Sequence, residues 1–185
     1  LLERYGRKVD FIFPVCMQKS SLRVAPKNPY PGVRYVLFVG SDFPPNVEAL
    51  HYLSKKIAPQ LENTIVLAIG KGLEKYDADL GHEKLKILGF VTDLAAIYYH
   101  AVAVVAPIFS GGGMKVKIAE ALMHGKYVIG SKFAFIGYEN AVNSGACKIA
   151  DSEYDYIDLV EKTNPTSALK LLAQDIFMRE YSLSV

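Results

Sequence analysis

The residues best suited to binding an anion lie in the segment 107–125, which reads PIFSGGGMKVKIAEALMHG. Gly111, Gly112 and Gly113 leave backbone N–H groups open to close approach by a ligand. A helix predicted over residues 114–124 begins directly after these glycines and would point the positive end of its dipole at the same place. The segment therefore predicts a site for a phosphate-bearing molecule.

Charged side chains in that predicted helix support the same interpretation. Lys115 and Lys117 place two cations in its first turn, where positive charge opposes the helix dipole, and a bound anion would account for this placement. Glu120 could accept hydrogen bonds from the vicinal hydroxyls of a ribose, as acidic residues do in other nucleotide sites. The alternative is that the glycines only form a turn and that these three side chains are solvated.

Composition limits the classes of function open to the chain. Its 185 residues are 51% hydrophobic and 22% charged, as in globular proteins, and the net charge of +2 with scattered basic residues argues against nucleic-acid binding. No run approaches the ~20 apolar residues of a membrane span. The chain begins at Leu1 without a signal peptide, so we expect a piece of a longer, cytoplasmic protein.

Other reactive residue types carry weaker signals. Cys16 and Cys147 lie in no CxxC or His/Cys cluster and fit free thiols in a reducing compartment. The four histidines lack metal-ligand spacing, and no acidic metal-binding cluster appears, so no metal site is expected. His124 is expected to favour the end of its helix as a cation, and Tyr98 to pack within a helix.

Short apolar runs alternate with helical patterns along the chain. Strands are predicted at residues 9–14, 35–39, 64–69, 85–88, 101–106, 127–130 and 146–150, and helices from residue 44 and over 94–100, 114–124, 153–162 and 166–180. Continuously apolar strands between helices predict a mainly parallel sheet covered on both faces. We therefore expect an α/β fold, a Rossmann-like three-layer α/β/α sandwich of about six strands, with its ligand site at the carboxyl ends of the strands.

Several motifs, in order, resemble the C-terminal domain of retaining glycosyltransferases with the GT-B fold. PIFSGGGMKVKIAEAL is similar to that domain's glycine loop and helix, YVLFVGSDFPPNVEAL to its first strand and helix, LAIGKG to its second strand, and LGFVTDLAAIYYHAVAVVAP to the segment GfvdDLaplya.advfvaP. The resemblance covers residues 35–150. It implies that residues 1–33 connect from an N-terminal domain, 34–163 form the donor-binding domain, and 164–185 hold a helix crossing back.

The resemblance also implies roles for individual residues. Glu120 matches the second glutamate of the family's E-x7-E signature, which contacts the donor ribose, and the loop and helix start match the backbone that meets the diphosphate. Lys71 and the backbone of Phe90 and Val91 match the base site, and Gly40 lies where the backbone passes close to the phosphates. The expected donor-binding residues are Gly40, Asn46, Lys71, Phe90, Val91, Gly111, Gly112, Gly113, Met114, Lys115, Lys117 and Glu120.

Two departures from the family pattern bear on activity. The first glutamate of the signature, which usually contacts the sugar, falls at Gly112. The arginine and lysine that usually neutralise the diphosphate fall near Ser41 and Asn46, and neither residue is basic. We hypothesise that Lys115, joined by Lys117, supplies the missing charge, because an unneutralised diphosphate in a cleft is costly.

The resemblance implies a metal-independent hexosyltransferase that moves a sugar from a nucleotide diphosphate sugar to an unknown acceptor, with retention and without a cofactor. Lys115 is a candidate to stabilise the leaving group, while the other catalytic groups are expected in the N-terminal acceptor domain, so the fragment alone should be inactive. Any contact with the inner membrane face would be made through the full-length protein.

Other functions on the same fold remain open. A sugar-nucleotide epimerase or a phosphorylase would share the architecture. The missing glutamate at Gly112 and the missing basic pair near Ser41 and Asn46 would also fit a degenerate scaffold or binding module that transfers nothing. A dinucleotide dehydrogenase is disfavoured, because the first strand leads into GSDFPP where a GxGxxG cradle is required.

Overall fold

The computed structural model describes residues 14–18 and 24–183, so the strand predicted at residues 9–14 lies almost wholly outside the described residues. The strands are β1 Tyr35–Val39, β2 Ile65–Ile69, β3 Leu85–Leu88, β4 Val104–Ala106, β5 Val128–Gly130 and β6 Cys147–Ile149. The α-helices are α1 Pro44–Tyr52, α2 Asp77–Leu80, α3 Leu94–His100, α4 Val116–Met123, α5 Glu139–Asn143, α6 Glu153–Lys162 and α7 Ser167–Glu180. A π-helical turn (Leu53–Ile57) and a 3₁₀ turn (Ala58–Gln60) extend α1, and a second 3₁₀ turn (Leu73–Tyr76) precedes α2.

The six strands form one parallel sheet in the order β3-β2-β1-β4-β5-β6. The chain builds outward from β1 to β3 and then returns to place β4 on the other side of β1, where Leu37 pairs with Val104. This is the strand order of doubly wound dinucleotide-binding folds, and it puts a switch point between β1 and β4. The predicted Rossmann-like α/β fold with a parallel sheet is confirmed.

The core explains why the strands read as continuous apolar runs. Residues 35–38 of β1 and 103–106 around β4 are fully buried, because helices cover both faces of the central strands. In α4 the side chains of Ile118, Ala119 and Leu122 are also fully buried. Lys117 and Glu120, three residues apart on that helix, share a less buried face that turns toward the end of the sheet.

The helix limits follow local capping signals where these are present. α3 has the predicted bounds, and the backbone N–H of Ala96 donates to the Asp93 carboxylate at 3.1 Å, so Asp93 is the N-cap residue of this helix. α4 is shorter than predicted, because Lys115 has extended backbone angles and serves as its N-cap residue. Its C-terminal end falls at His124, followed by Gly125 with a φ of 69°. Met114 and Lys115 therefore belong to the loop, and only Lys117 lies in the first helical turn.

The C-terminal helix packs on the same body. Ala173, Ile176 and Phe177 of α7 are buried, and the segment around Met17 pairs with the chain just after α7, where the Met17 N–H donates to the Tyr181 carbonyl at 2.8 Å. Whether α7 also crosses to another domain stays a prediction. Among the described helices, none has the length and apolar character needed to cross a membrane. Both cysteines are free, Cys16 exposed and Cys147 buried.

Candidate functional site

A cavity of about 380 Å³ opens at the switch point, between the chain segments that follow β1 and β4. Ligands of open α/β sheets bind at this place, where neighbouring connections diverge to opposite faces. Its lining residues are Val39, Gly40, Ser41, Phe43, Pro45, Asn46, Ile108, Ser110, Gly111, Gly112, Met114, Lys115, Val116, Lys117 and Glu120.

The glycine loop after β4 is held against α1. Gly111 and Gly113 have φ angles of 97° and 65°, in the left-handed region that favours glycine. A Cβ at Gly111 would lie 3.1 Å from a side-chain carbon of Pro45, and the Ser110 hydroxyl donates to the Glu48 carboxylate at 2.5 Å. The loop therefore has a defined position at the rim of the cavity.

Gly112 differs from its two neighbours. Its φ is not positive, and a Cβ built there would meet no other atom within 4 Å. The absence of a carboxylate at this position is therefore not imposed by the backbone or by crowding.

Lys117 is the cation most directly placed in the cavity. Its Nζ donates to Oδ1 of Asn46 at 2.6 Å and lies 4.6 Å from the centre of the Phe38 ring, while the Asn46 amide donates to the Ser41 carbonyl at 2.9 Å. Burial, followed by the charge of Lys115, lowers the pKa of Lys117 to about 7. An anion in the cavity would favour the charged form of this amine.

Two glycines make room for this arrangement at the ends of β1 and β2. A Cβ at Gly40 would lie 2.6 Å from Cγ of Asn46, so the absence of a side chain lets Asn46 fold back over the strand end toward Lys117. A Cβ at Gly70 would lie 1.8 Å from the Gly40 carbonyl oxygen, which makes glycine necessary there as well.

Lys115 lines the cavity but its ammonium turns back toward its own loop. The Nζ donates to the Gly113 carbonyl at 2.7 Å and lies 4.7 Å from the centre of the Phe133 ring. Burial lowers the pKa of this lysine. The Lys115 carbonyl accepts a hydrogen bond from the Tyr138 hydroxyl at 2.8 Å, which holds the start of α4 in place.

Glu120 brings a partly buried carboxylate to the same cavity. Its Oε2 accepts a hydrogen bond from the Tyr98 hydroxyl at 3.2 Å. Burial raises the pKa of Glu120, and the bond from Tyr98 offsets part of that rise. Sequence reasoning assigned Tyr98 to packing alone, since no local signal links residues that are 22 positions apart.

The residues expected at the base site form a separate group. Lys71, Phe90 and Val91 do not line the cavity; they follow β2 and β3, whose ends meet where the Gly70 N–H contacts the carbonyls of Leu88 and Gly89 at 3.3 Å each. Phe90 is 74% exposed. The structure thus gathers eight expected donor residues around one cavity, places Gly113 in the adjoining loop, and leaves these three on the neighbouring edge of the sheet. Across residues 14–18 and 24–183, no cluster of three or more His, Cys, Asp or Glu could hold a metal ion.

The sheet order and the glycine loop beside the partly buried Lys117 amine define a Rossmann-like domain suited to a phosphate-bearing ligand. The model of the family Glycosyl transferases group 1 matches residues 33–164. The chain therefore belongs to this family of glycosyltransferases. No curated protein sequence matches the chain.

The chain is similar in fold to several solved structures of GT-B glycosyltransferases. WaaG, a glycosyltransferase involved in lipopolysaccharide biosynthesis, matches with a TM-score of 0.67 and 16% identity over 96% of this chain and 54% of its own. Anabaena HepE in complex with UDP and glucose matches with a TM-score of 0.63 and 18% identity over 81% and 45% of the two chains. A variant of S. aureus TarM in complex with UDP gives a TM-score of 0.67 and 16% identity over 96% and 38%. At these identities the likeness shows the fold, and the chain spans about half the length of these proteins or less.

Proposed function

We propose that this chain is the donor-binding part of a glycosyltransferase that moves a hexosyl group from a nucleoside diphosphate sugar to an acceptor, with retention of anomeric configuration. The observation that carries the proposal is the convergence, in one cavity at the switch point, of the Lys117 amine, the start of α4 and the Glu120 carboxylate. A phosphate group and a sugar hydroxyl are the two chemistries that these groups recognise.

The diphosphate is assigned to the part of the cavity between the glycine loop and Lys117. α4 begins at Val116 and directs the positive end of its dipole into the cavity, next to the backbone of the glycine loop. Lys117, tied to Asn46, adds a full charge once an anion is present. The α4 dipole and Lys117 together take the place of the basic residues that the family usually carries after β1. Lys115 contributes a second, more distant charge.

The remaining parts of the donor follow from this placement. Glu120 would accept hydrogen bonds from the ribose, and the base would lie toward Lys71, Phe90 and Val91. Because HepE and TarM were solved with UDP, uridine diphosphate is the first nucleotide to test.

The leaving diphosphate would be stabilised by the α4 dipole and Lys117, with no metal ion or cofactor in the reaction. We propose that the rest of a longer protein supplies the acceptor-binding site, the other catalytic groups and the contact that closes the cleft. The fragment alone should then bind the donor without transferring its sugar.

Thermal unfolding in the presence of nucleotides tests the proposal. UDP, GDP, ADP and their sugar conjugates are compared with uridine, which lacks the phosphates. A ligand that binds only the folded state raises the free energy of unfolding by ~2.7 kcal/mol at a hundredfold excess over its dissociation constant. A shift with one nucleoside diphosphate and none with uridine supports a donor site, whereas no shift with any nucleotide at millimolar concentration contradicts it.

A second candidate, a non-catalytic binding module, is favoured by one observation. Gly112 stands where the family's sugar-contacting glutamate falls, and the site has room for that side chain. A degenerate module should bind none of these nucleotides, so the same experiment separates the two functions.

A further inference from the structure

Tyr98 connects the interior of the protein to the candidate ribose-binding carboxylate. The tyrosine belongs to α3 and is 0% exposed, yet its hydroxyl reaches Oε2 of Glu120 on α4 at 3.2 Å. The contact crosses from one helix to the next just inside the cavity lining. A buried tyrosine hydroxyl usually has a hydrogen-bond partner, and for Tyr98 that partner is a group of the candidate site.

The ring of Tyr98 is itself held in place by α4. The His124 ring stacks on it with centroids 4.5 Å apart and planes 11° from parallel. Burial, followed by the charge of Lys126, lowers the pKa of His124 to about 4, so the imidazole is neutral at physiological pH. The expectation that His124 acts as a cation at the helix end is therefore wrong, because partial burial of the ring disfavours its charged form. One helix thus supplies both the stacking ring and the carboxylate that Tyr98 contacts.

We infer that Tyr98 is a positioning residue, which holds one oxygen of Glu120 so that the other faces the two ribose hydroxyls of the donor. This assignment rests on the proposed function. A carboxylate has two acceptor oxygens, and without a fixed partner it rotates about its terminal torsion. With Oε2 held by an immobile phenol, Oε1 is the oxygen that remains for a ligand in the cavity.

A purely structural role for the tyrosine predicts a different outcome. If the hydroxyl only satisfies a buried polar group, its loss should lower stability and weaken all nucleotides equally. If it orients Glu120, its loss should weaken only those ligands whose hydroxyls Glu120 binds.

The test compares UDP with 2′,3′-dideoxy-UDP, which lacks both ribose hydroxyls, by calorimetry on the full chain. The variants are Tyr98→Phe, Glu120→Gln and the double substitution. Tyr35→Phe is the matched control, because Tyr35 is also fully buried and its hydroxyl donates to the Ile97 carbonyl at 2.8 Å, away from the cavity lining.

We expect the wild type and Tyr35→Phe to prefer UDP over the dideoxy analogue by about tenfold, the contribution of a hydrogen bond to a charged group. Tyr98→Phe should reduce that preference to about threefold or less while leaving the affinity for dideoxy-UDP unchanged. In the Glu120→Gln background, Tyr98→Phe should have no further effect on the preference.

Three other results overturn the assignment in distinguishable ways. A wild-type preference that survives in Tyr98→Phe refutes the positioning role and leaves the proposed function standing. Equal weakening of both ligands by Tyr98→Phe and Tyr35→Phe shows a stability effect alone. A wild type that binds neither ligand refutes the proposed function, and this assignment with it.

Discussion

Lys117 is the group whose protonation should control donor binding. Burial and the nearby charge of Lys115 lower its pKa to about 7, so about half of the free protein carries this charge at neutral pH. A diphosphate in the cavity would favour the charged amine. Binding should therefore take up protons and weaken as the pH rises above 7.

The size of the effect follows from the fraction of charged Lys117 in the free protein. With a pKa of about 7, that fraction falls from about one-half at pH 7 to about one-thirtieth at pH 8.5. If the complex keeps the amine charged, the dissociation constant should rise about fifteenfold over this range, and binding at pH 7 should take up about half a proton.

The same lowered pKa gives the stability of the ligand-free protein a pH dependence opposite to that of donor binding. The pKa of Lys117 is depressed in the folded state, so the unfolded chain binds more protons between pH 7 and the usual lysine value of 10.5. Through this residue, the stability of the unliganded protein should rise with pH across that window.

Calorimetric titration with UDP at pH 7 to 8.5, in two buffers of different ionisation enthalpy, measures both quantities. The UDP phosphates are mostly ionised over this range, since the second phosphate pKa is about 6. Lys117→Met keeps an apolar side chain against Phe38 and should bind UDP weakly with no pH dependence. Lys115→Met should lose less affinity, because that ammonium already bonds the Gly113 carbonyl. Lys86→Met, an exposed change on β3 outside the cavity lining, is the matched control.

Either of two results would show that the charge on Lys117 does not control donor binding. One is UDP binding whose dissociation constant changes less than about twofold between pH 7 and 8.5, against the fifteenfold expected. The other is a Lys117→Met variant with the pH dependence of the wild type, which would place the titrating group elsewhere.

Two further predictions concern the backbone that supports the site. Gly112→Glu should leave the free energy of unfolding near the wild-type value, whereas Gly111→Glu should lower it by ~1–3 kcal/mol. Of these two glycines, only Gly111 combines a positive φ, 97°, with a carbon of Pro45 at 3.1 Å from a new Cβ. Urea unfolding measures both free energies, and equal losses would contradict the geometry. Arg34→Ala should cost ~2–3 kcal/mol, since the guanidinium donates to three carbonyls at the end of α6 at 2.6 to 3.2 Å. Lys162→Ala, which removes an exposed ion pair on the same helix, is its control and should change stability little; comparable losses for the two would show that the capping bonds of Arg34 contribute nothing.

Local signals were sufficient for most of the sheet and several helices. β1, β3, α3 and α6 have the predicted bounds, because each is an apolar or periodic run that ends at a glycine or begins at a capping side chain. The short helices α2 and α5 were not predicted, since four and five residues carry too little periodicity to be distinguished from loops.

The candidate site was only partly predictable. The glycine loop, Lys117 and Glu120 lie within ten residues of one another. Their proximity could therefore be predicted from the loop and the helix that follows it. Their hydrogen-bond partners, which lie far away in the sequence, could not be predicted in this way. Asn46 precedes Lys117 by 71 positions, and Tyr98 precedes Glu120 by 22.

By itself, the sequence determined the alternation of strands and helices, the parallel α/β class and the loop most suited to an anion. These depend on local periodicity, glycine and helix starts, which act over a few residues. Only the tertiary structure decided that Lys117 faces the cavity while the Lys115 ammonium folds back on its loop, that Lys117 has a pKa near 7, and that Glu120 is held by a buried phenol. Burial and long-range hydrogen bonds set these properties, and both arise only when β1, α1, α3 and α4 pack against one another.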